Sequence, residues 1–351
     1  MNSASVRGRG VAHNPANRFE PIEVVRDRWD DPADPAPRTV LYRDFTRTVI
    51  ARNDSPDVGF ETSINPYRGC EHGCVYCYAR PYHEYFGLSA GLDFETKIFV
   101  KEDAPRLLRV ELSKPGWTPQ VLALSGVTDP YQPAERRLKI TRGLLEVLAE
   151  FRNPVGIVTK NYLVTRDLDH LRQLARFQAA AVTISVTTLD DELQRIMEPR
   201  TSSPARRLAA IARLAEAGIP VSVNVAPVIP GLTDHELPRI LEAAAGAGAT
   251  GAAYLVLRLP HGVKGLFEGW LAQHFPDRKD KVLNRIRSLR DGRLSDARFG
   301  KRHRGEGPWA AQLANLFQVT CRRLGLGREG PRLSAAAFRR PPRGVQLRLF
   351  D

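Results

Sequence analysis

The sequence predicts an α/β protein: an open, partial β/α barrel of six units carrying N- and C-terminal extensions. Three observations predict it. Short apolar runs of β-forming residues recur along the middle of the chain, helical patterns separate them, and a compact cysteine loop follows the first run. The runs are 121–126, 155–159, 182–187, 221–228 and 252–259, with a weaker first strand at 62–65. Unbroken apolar runs of this length suit strands covered on both faces of a parallel sheet.

The intervening segments read as helices. Residues 134–151 place Leu138, Leu144, Leu145 and Leu148 on one face and stop at Asn153-Pro154. Residues 165–177 gather Leu168, Leu171, Leu174 and Ala175. Residues 203–218 have Ser203 to cap, Pro204 at the first helical position and Gly218 to end the helix. Residues 233–246 open with a Thr233–Glu236 capping box and close at Gly246. Strict alternation implies right-handed crossovers and a parallel sheet. A closed eight-stranded barrel needs two more units, which the sequence lacks. In such a fold the active site lies at the C-terminal ends of the strands.

Length and composition fit one large domain with extensions. The chain has 351 residues, 42% hydrophobic and 26% charged. The divisions read from it are an N-terminal extension at 1–56, a core at 57–275 and a basic, mostly helical region at 276–351. The helices of that last region fall at 279–290 and 309–323, and its end, 338–351, reads as disordered. The first twenty residues have no apolar core of a signal peptide, and the apolar stretch 243–257 is too short and Gly-rich to span a bilayer. Four cysteines are no disulfide framework, so a reducing, cytoplasmic setting is expected. Of the net charge of +13, residues 276–351 supply +12, from 19 basic and 7 acidic residues. Such a region attracts phosphate polyanions, so nucleic acid is an expected partner.

Three of the four cysteines lie within eight residues, Cys70, Cys74 and Cys77, in the spacing C-x3-C-x2-C. Gly69 and Gly73 let the loop wrap tightly. Three soft thiolates suit zinc or an iron–sulfur cluster. Structural zinc needs a fourth protein ligand, which His72 or His83 is placed to supply. A [4Fe–4S] cluster held by three cysteines keeps one iron open for a ligand that is not a side chain.

C-x3-C-x2-C with Tyr76 before the last cysteine resembles the signature of the radical S-adenosylmethionine (SAM) superfamily. The segments SGVTDPYQPAERRLKITRGLLEVL, IVTKNYLVTRDLDHL and EPRTSSPARRLAAI are similar to its branch related to spore photoproduct lyase, whose members are often labelled DNA repair photolyases. The likeness spans about residues 50–275 and, more loosely, RLSDARFGKRHRGEGPWA. It implies a partial (β/α)6 TIM-like barrel, a [4Fe–4S] cluster on Cys70, Cys74 and Cys77, and SAM on the open iron. It also implies a one-electron reductant of flavodoxin or ferredoxin type and cleavage of SAM to a 5′-deoxyadenosyl radical. Tyr76 then lies near the adenine. Ser125, Gly126, Thr128 and Asp129, at the end of the second strand, meet the methionyl ammonium, and Lys160 pairs with the carboxylate. Ser185 and Thr187 share one side of the fourth strand and reach the ribose. Glu198 and Arg200 bind SAM or substrate, or pair with each other, and Asn224 serves SAM or a core network.

The match of residues 246–251 to G-x-G-x-x-G is no dinucleotide site, because a helix precedes it and a strand follows. Spore photoproduct lyase is associated with a hydrogen-returning cysteine outside the cluster loop. The one further cysteine here, Cys321, reads as a buried, inert thiol, which argues against the same relay. A tyrosine among Tyr67, Tyr78, Tyr82 and Tyr85 is an alternative. Three functions follow: a radical enzyme on nucleic acid, one on a peptide or small molecule, and a non-enzymatic metal-binding nucleic-acid module.

Overall fold

The computed structural model describes residues 6, 8–19 and 37–341. In chain order its elements begin with β1 (Val40–Arg43), β2 (Ile50–Arg52), β3 (Thr62–Ile64), β4 (Tyr67–Arg68), α1 (Leu92–Thr96), β5 (Lys97–Val100) and α2 (Ala104–Ser113). There follow β6 (Leu122–Leu124), α3 (Glu135–Leu138), α4 (Ile140–Phe151), β7 (Val155–Thr159), α5 (Leu168–Ala175), β8 (Ala180–Ser185), α6 (Asp191–Met197) and α7 (Pro204–Glu216). The last are β9 (Val221–Val228), α8 (Leu237–Gly246), β10 (Gly251–Val256), α9 (Val263–His274), α10 (Pro276–Ser288) and α11 (Pro308–Leu324).

The six apolar runs become six parallel strands, β3, β6, β7, β8, β9 and β10, side by side in sequence order. The antiparallel β2 extends the sheet beyond β3. Among the described residues β3 and β10 do not pair, so the barrel stays open. Val155, Ile157, Val182, Ile184, Val221 and Val223 are buried against Leu144, Leu148, Leu171, Ile211, Leu214 and Ile240 of the covering helices. α7 forms as its sequence directs: Ser203 accepts from the Arg206 N–H at 3.4 Å, and Gly218 takes a left-handed φ of 71°.

Two local expectations are corrected, and one segment gains elements that the sequence reading did not assign. The pattern 134–151 is two helices, broken at Lys139 with φ 55°. The buried Glu135 carboxylate causes the break, because it accepts from the Thr141 N–H at 3.0 Å and so caps α4. The Thr233–Glu236 capping box does not form. Thr233 accepts from the Ile229 N–H at 2.9 Å, and Glu236 takes the Thr188 hydroxyl at 2.6 Å and the Leu189 N–H at 2.7 Å. The segment 92–113, left unassigned by periodicity, forms α1, β5 and α2, and β5 joins β1 and β4 in a small second sheet.

The C-terminal region covers the free edge of β10. Ala252 N–H donates to Gly327 O at 2.8 Å and Val256 N–H to His303 O at 2.9 Å, so the edge offers no template for another strand. α11 packs Leu313, Phe317 and Cys321 into the core, so Cys321 is an interior thiol, 1% exposed. The reading of 338–351 as disordered is corrected at its start, while 342–351 lie outside the described residues. Phe338 packs on Phe151 at 6.2 Å, and Arg339 N–H donates to Phe151 O at 2.9 Å. Arg340 donates to the carbonyls of Lys114, Pro115 and Trp117 at 3.1–3.3 Å. No helix among the described residues is long and apolar enough to cross a membrane.

Deleting residues 334–351 is expected to lower stability by about 1–3 kcal/mol, from the lost ring packing and hydrogen bonds. Urea unfolding of the truncated and full chains checks this, and equal midpoints would show the contacts of 334–341 to be passive.

Candidate active site

β3 delivers the chain into the cysteine loop at the C-terminal end of the sheet. Gly69 (φ 80°) and Gly73 (φ 68°) turn it. A Cβ on Gly69 would lie 2.9 Å from Phe94 O, and one on Gly73 2.7 Å from the Glu95 carboxylate. The turns are pinned by Cys70 N–H to Phe94 O at 2.9 Å and Val75 N–H to Met197 O at 3.1 Å. Cys70 and Cys74 are buried and Cys77 is half-buried. Among the described residues no side chain hydrogen-bonds their sulfurs. Burial pushes all three thiols up; Asp129 and then Cys77 add to the rise at Cys70, and Glu198 and then Cys77 and Cys70 at Cys74. For Cys77 the Arg80 and Lys160 cations oppose that rise.

Neither histidine is free to complete a zinc shell. His72 accepts from the Asn161 amide at 3.1 Å and turns Nδ1 to Asp129 at 3.4 Å. His83 donates Nε2–H to Lys97 O at 2.9 Å and sits among the Phe86, Phe94 and Phe99 rings.

The sequence reading missed what holds the loop in place. Arg80, fully buried, donates to Cys74 O at 3.0 Å, Gly91 O at 3.0 Å and the Glu95 carboxylate at 2.5 Å. The other Glu95 oxygen accepts from the Gly10 N–H at 3.0 Å. Through that bond the N-terminal arm, residues 8–19, closes over the loop. Arg9 donates to Glu95 O at 3.0 Å, Asn14 to Asp93 at 3.0 Å and Arg18 to Glu84 at 2.6 Å. A Cβ on Gly10 would lie 1.6 Å from Gly73 O, so only glycine fits. The one sequence signal was Arg80 in YCYAR, three residues after Cys77.

The expected cofactor residues divide into two groups. Ser125 (φ 154°) and Gly126 (φ 138°) hold a backbone conformation that side chains disfavour. Asn65 fixes the next peptide by accepting from the Val127 N–H at 3.0 Å, and the Tyr78 hydroxyl donates to Gly126 O. Thr128 donates to Gly69 O at 2.8 Å, tying this strand end to the cysteine loop. Asp129 requires correction as a free acceptor. Its two oxygens already accept from the Thr159 hydroxyl at 2.7 Å and the N–H groups of Tyr131 and Lys160, each at 2.8 Å. Its carboxyl lies below the usual range because His72, Lys160 N–H and Thr159 outweigh burial.

The second group centres on Glu198, fully buried. It accepts from Arg207, the Tyr76 hydroxyl, the Thr187 hydroxyl at 2.8 Å and Lys160 at 3.1 Å. The Lys160 ammonium also meets Thr187 Oγ1 at 3.0 Å and Ala226 O at 2.9 Å, so its three hydrogens are engaged. Burial, then the Arg207 charge, brings its pKa down to about 7. Ser185 is buried beside them, its carbonyl accepting from Arg207 at 3.1 Å. Arg200 does not pair with Glu198, which Arg207 occupies. It pairs instead with Glu71 at 3.2 Å, next to Cys70. Asn224, half-buried, leaves its Oδ1 without a partner among the described residues.

Residues 64–244 match the model of the radical SAM superfamily. The chain belongs to the radical SAM superfamily. It is 40% identical over 232 residues to an uncharacterised protein of Mycobacterium tuberculosis, covering 66% of this chain and 67% of that one. It is 31% identical over 178 residues to an uncharacterised protein of Methanocaldococcus jannaschii, covering 51% and 64%. Its fold is similar to that of spore photoproduct lyase complexed with dinucleoside spore photoproduct. There the TM-score is 0.58 and the identity 18%, over 82% of this chain and 81% of that one. As a radical SAM enzyme it uses SAM and an iron–sulfur cluster and needs an electron donor. Three free thiols, two buried and one half-buried, in a loop bent by two glycines, fit that requirement for soft donors.

Gly10→Ala is expected to lift the arm off the loop, lowering stability by about 1–3 kcal/mol. Iron and sulfide retained per chain after anaerobic reconstitution should fall with it, and an unchanged iron content would show the arm to be dispensable. A pH dependence follows from His83, whose pKa burial lowers from 6.5 to about 4. As pH falls through that window the unfolded chain takes a proton that the folded chain refuses, so stability drops, by about 3 kcal/mol in full. Urea unfolding from pH 7 to 4 checks this, and His83→Gln is expected to remove that component.

Proposed function

We propose that this radical SAM enzyme holds a [4Fe–4S] cluster on Cys70, Cys74 and Cys77 and acts on nucleic acid. The observation that carries the reading is the set of three free thiols, two buried and one half-buried, that no side chain hydrogen-bonds among the described residues. When bound, the cluster and SAM supply one-electron cleavage of SAM and a carbon radical that abstracts hydrogen from substrate.

The chain's own residues bind, orient and exclude water. Gly126 presents its carbonyl edge to the methionyl ammonium, with its position fixed by Tyr78 and Asn65. Thr128 and Asp129 brace that edge. Lys160 meets the SAM carboxylate by exchanging one of its present acceptors, and Glu198 and Thr187 hold it in reach. Tyr76, fixed by Glu198, offers its ring to the adenine, and Ser185 its hydroxyl to the ribose. Arg200 positions Glu71 beside Cys70. The reductant is a small protein of flavodoxin or ferredoxin type, and the reducing cytoplasm suits thiols and cluster alike.

Two observations favour nucleic acid. The region 276–351 carries +12. Much of it ties the fold together, as in Arg285–Asp234 and Arg323–Glu242, yet Arg278, Lys281, Arg293, Arg322 and Arg328 are exposed and unpaired among the described residues. The structurally similar spore photoproduct lyase is complexed with a dinucleoside.

Anaerobic protein with SAM and dithionite is expected to release 5′-deoxyadenosine, and Cys74→Ala to abolish it. Deuterated DNA and RNA should pass deuterium into that product. Transfer from peptide and none from nucleic acid would overturn the substrate class, and no 5′-deoxyadenosine at all would overturn the whole proposal.

A further inference from the structure

Arg258 lies just beyond the C-terminal end of β10, at the barrel mouth. Its guanidinium sits 5.5 Å from the centre of the Tyr78 ring. Among the described residues no carboxylate or carbonyl bonds to it. Its neighbours are also cations. Arg302 lowers the Arg258 pKa after burial, and Arg258 in turn lowers those of His303 and Arg290. The nearby carboxylates are spent elsewhere, Asp57 on Arg302 at 2.5 Å and Asp296 on Arg298 at 2.6 Å. Near Arg258, Arg290 is 1% exposed and donates Nη2 to Leu257 O at 2.5 Å and Arg302 O at 3.1 Å, while its Nε and Nη1 have no partner among the described residues. Buried and half-buried guanidinium groups without counter-charge call for an anion.

Beside these cations runs a line of exposed rings. Tyr78, Tyr82, Tyr85 and Phe19 are 45%, 48%, 66% and 53% exposed. Tyr82 and Tyr85 lie 6.3 Å apart, and Phe19 stacks on Tyr85 at 5.0 Å. Arg18 covers Phe19 at 4.8 Å and meets His261 at 3.0 Å. The line starts at the site itself, because Tyr78 holds Gly126 O. Rings at this exposure serve no core. Together with cations they match a chain whose units each bring a flat π face and a negative charge. A duplex turns its bases inward and offers such rings only sugar and phosphate. An unpaired segment offers base faces.

We propose that Tyr78, Tyr82, Tyr85 and Phe19 stack unpaired bases of the substrate while Arg258, backed by Arg290, anchors a phosphate, so that this enzyme takes single-stranded rather than duplex nucleic acid. The inference rests on the nucleic-acid reading above.

Anisotropy of labelled single-stranded and blunt duplex DNA of equal length, titrated with the full chain over a salt series, tests it. The single strand is expected to bind more tightly. Tyr82→Ala with Tyr85→Ala should weaken single-strand binding roughly tenfold or more and leave duplex binding unchanged. Arg258→Gln should make the slope of log affinity against log salt shallower by about 0.7, and Arg258→Lys should restore the slope. Circular dichroism checks that each variant is folded. Equal binding of both DNA forms, or variants that bind single strands as the parent does, would overturn the platform and leave the nucleic-acid reading standing. No binding of either form at low salt, with an acidic peptide bound instead, would overturn both.

Discussion

One buried ion pair organises the active-site end of this protein. Arg80 and Glu95 meet with neither exposed to solvent, and between them they use almost every polar group they own. Removing a charge from such a pair strands its partner in a low-dielectric interior, which costs about 3–5 kcal/mol. The pair therefore fixes three things at once: the carbonyl of Cys74, the start of α1 and the N-terminal arm. The cysteine loop has no regular secondary structure of its own, so its shape is inherited from this contact and from the glycines that permit it.

A second carboxylate, Glu198, does the corresponding work on the other side of the mouth. It gathers Arg207 from α7, Lys160 from the end of β7, Thr187 from the end of β8 and Tyr76 from the cysteine loop. Two cations face one anion there. Burial, with the Arg207 charge adding to it, brings the Lys160 pKa down. Asp129 plays the third such role, stapling the ends of β6 and β7. The barrel mouth is thus a set of acidic hubs, each joining segments distant in sequence.

Much of this was legible beforehand where the signal is local. Strand runs such as 155–159 and 221–228 announce themselves because a strand buried on both faces must be apolar throughout. The cysteine spacing is a local pattern of soft donors, and α7 carries its own start and stop. Legibility failed where a residue answers to a distant partner. Glu236 looked like part of a capping box but reaches Thr188. Asp129 looked like an acceptor for SAM but already accepts from the Thr159 hydroxyl and two backbone N–H groups. Arg200 and Glu198 read as SAM or substrate ligands or as a pair, but Arg207 holds Glu198 and Arg200 meets Glu71.

The sequence by itself determined the run of parallel strands and the close spacing of three cysteines, because both depend on residue type along the chain, and the chemistry class followed from the family resemblance that this spacing carries. Only the tertiary structure decided which carboxylates are free and which are spent, how the arm at 8–19 folds over the loop, and that Arg258 stands unneutralised beside exposed rings. Those outcomes depend on burial and on charges brought within a few ångströms by the fold, and neither quantity is a property of any short stretch of sequence.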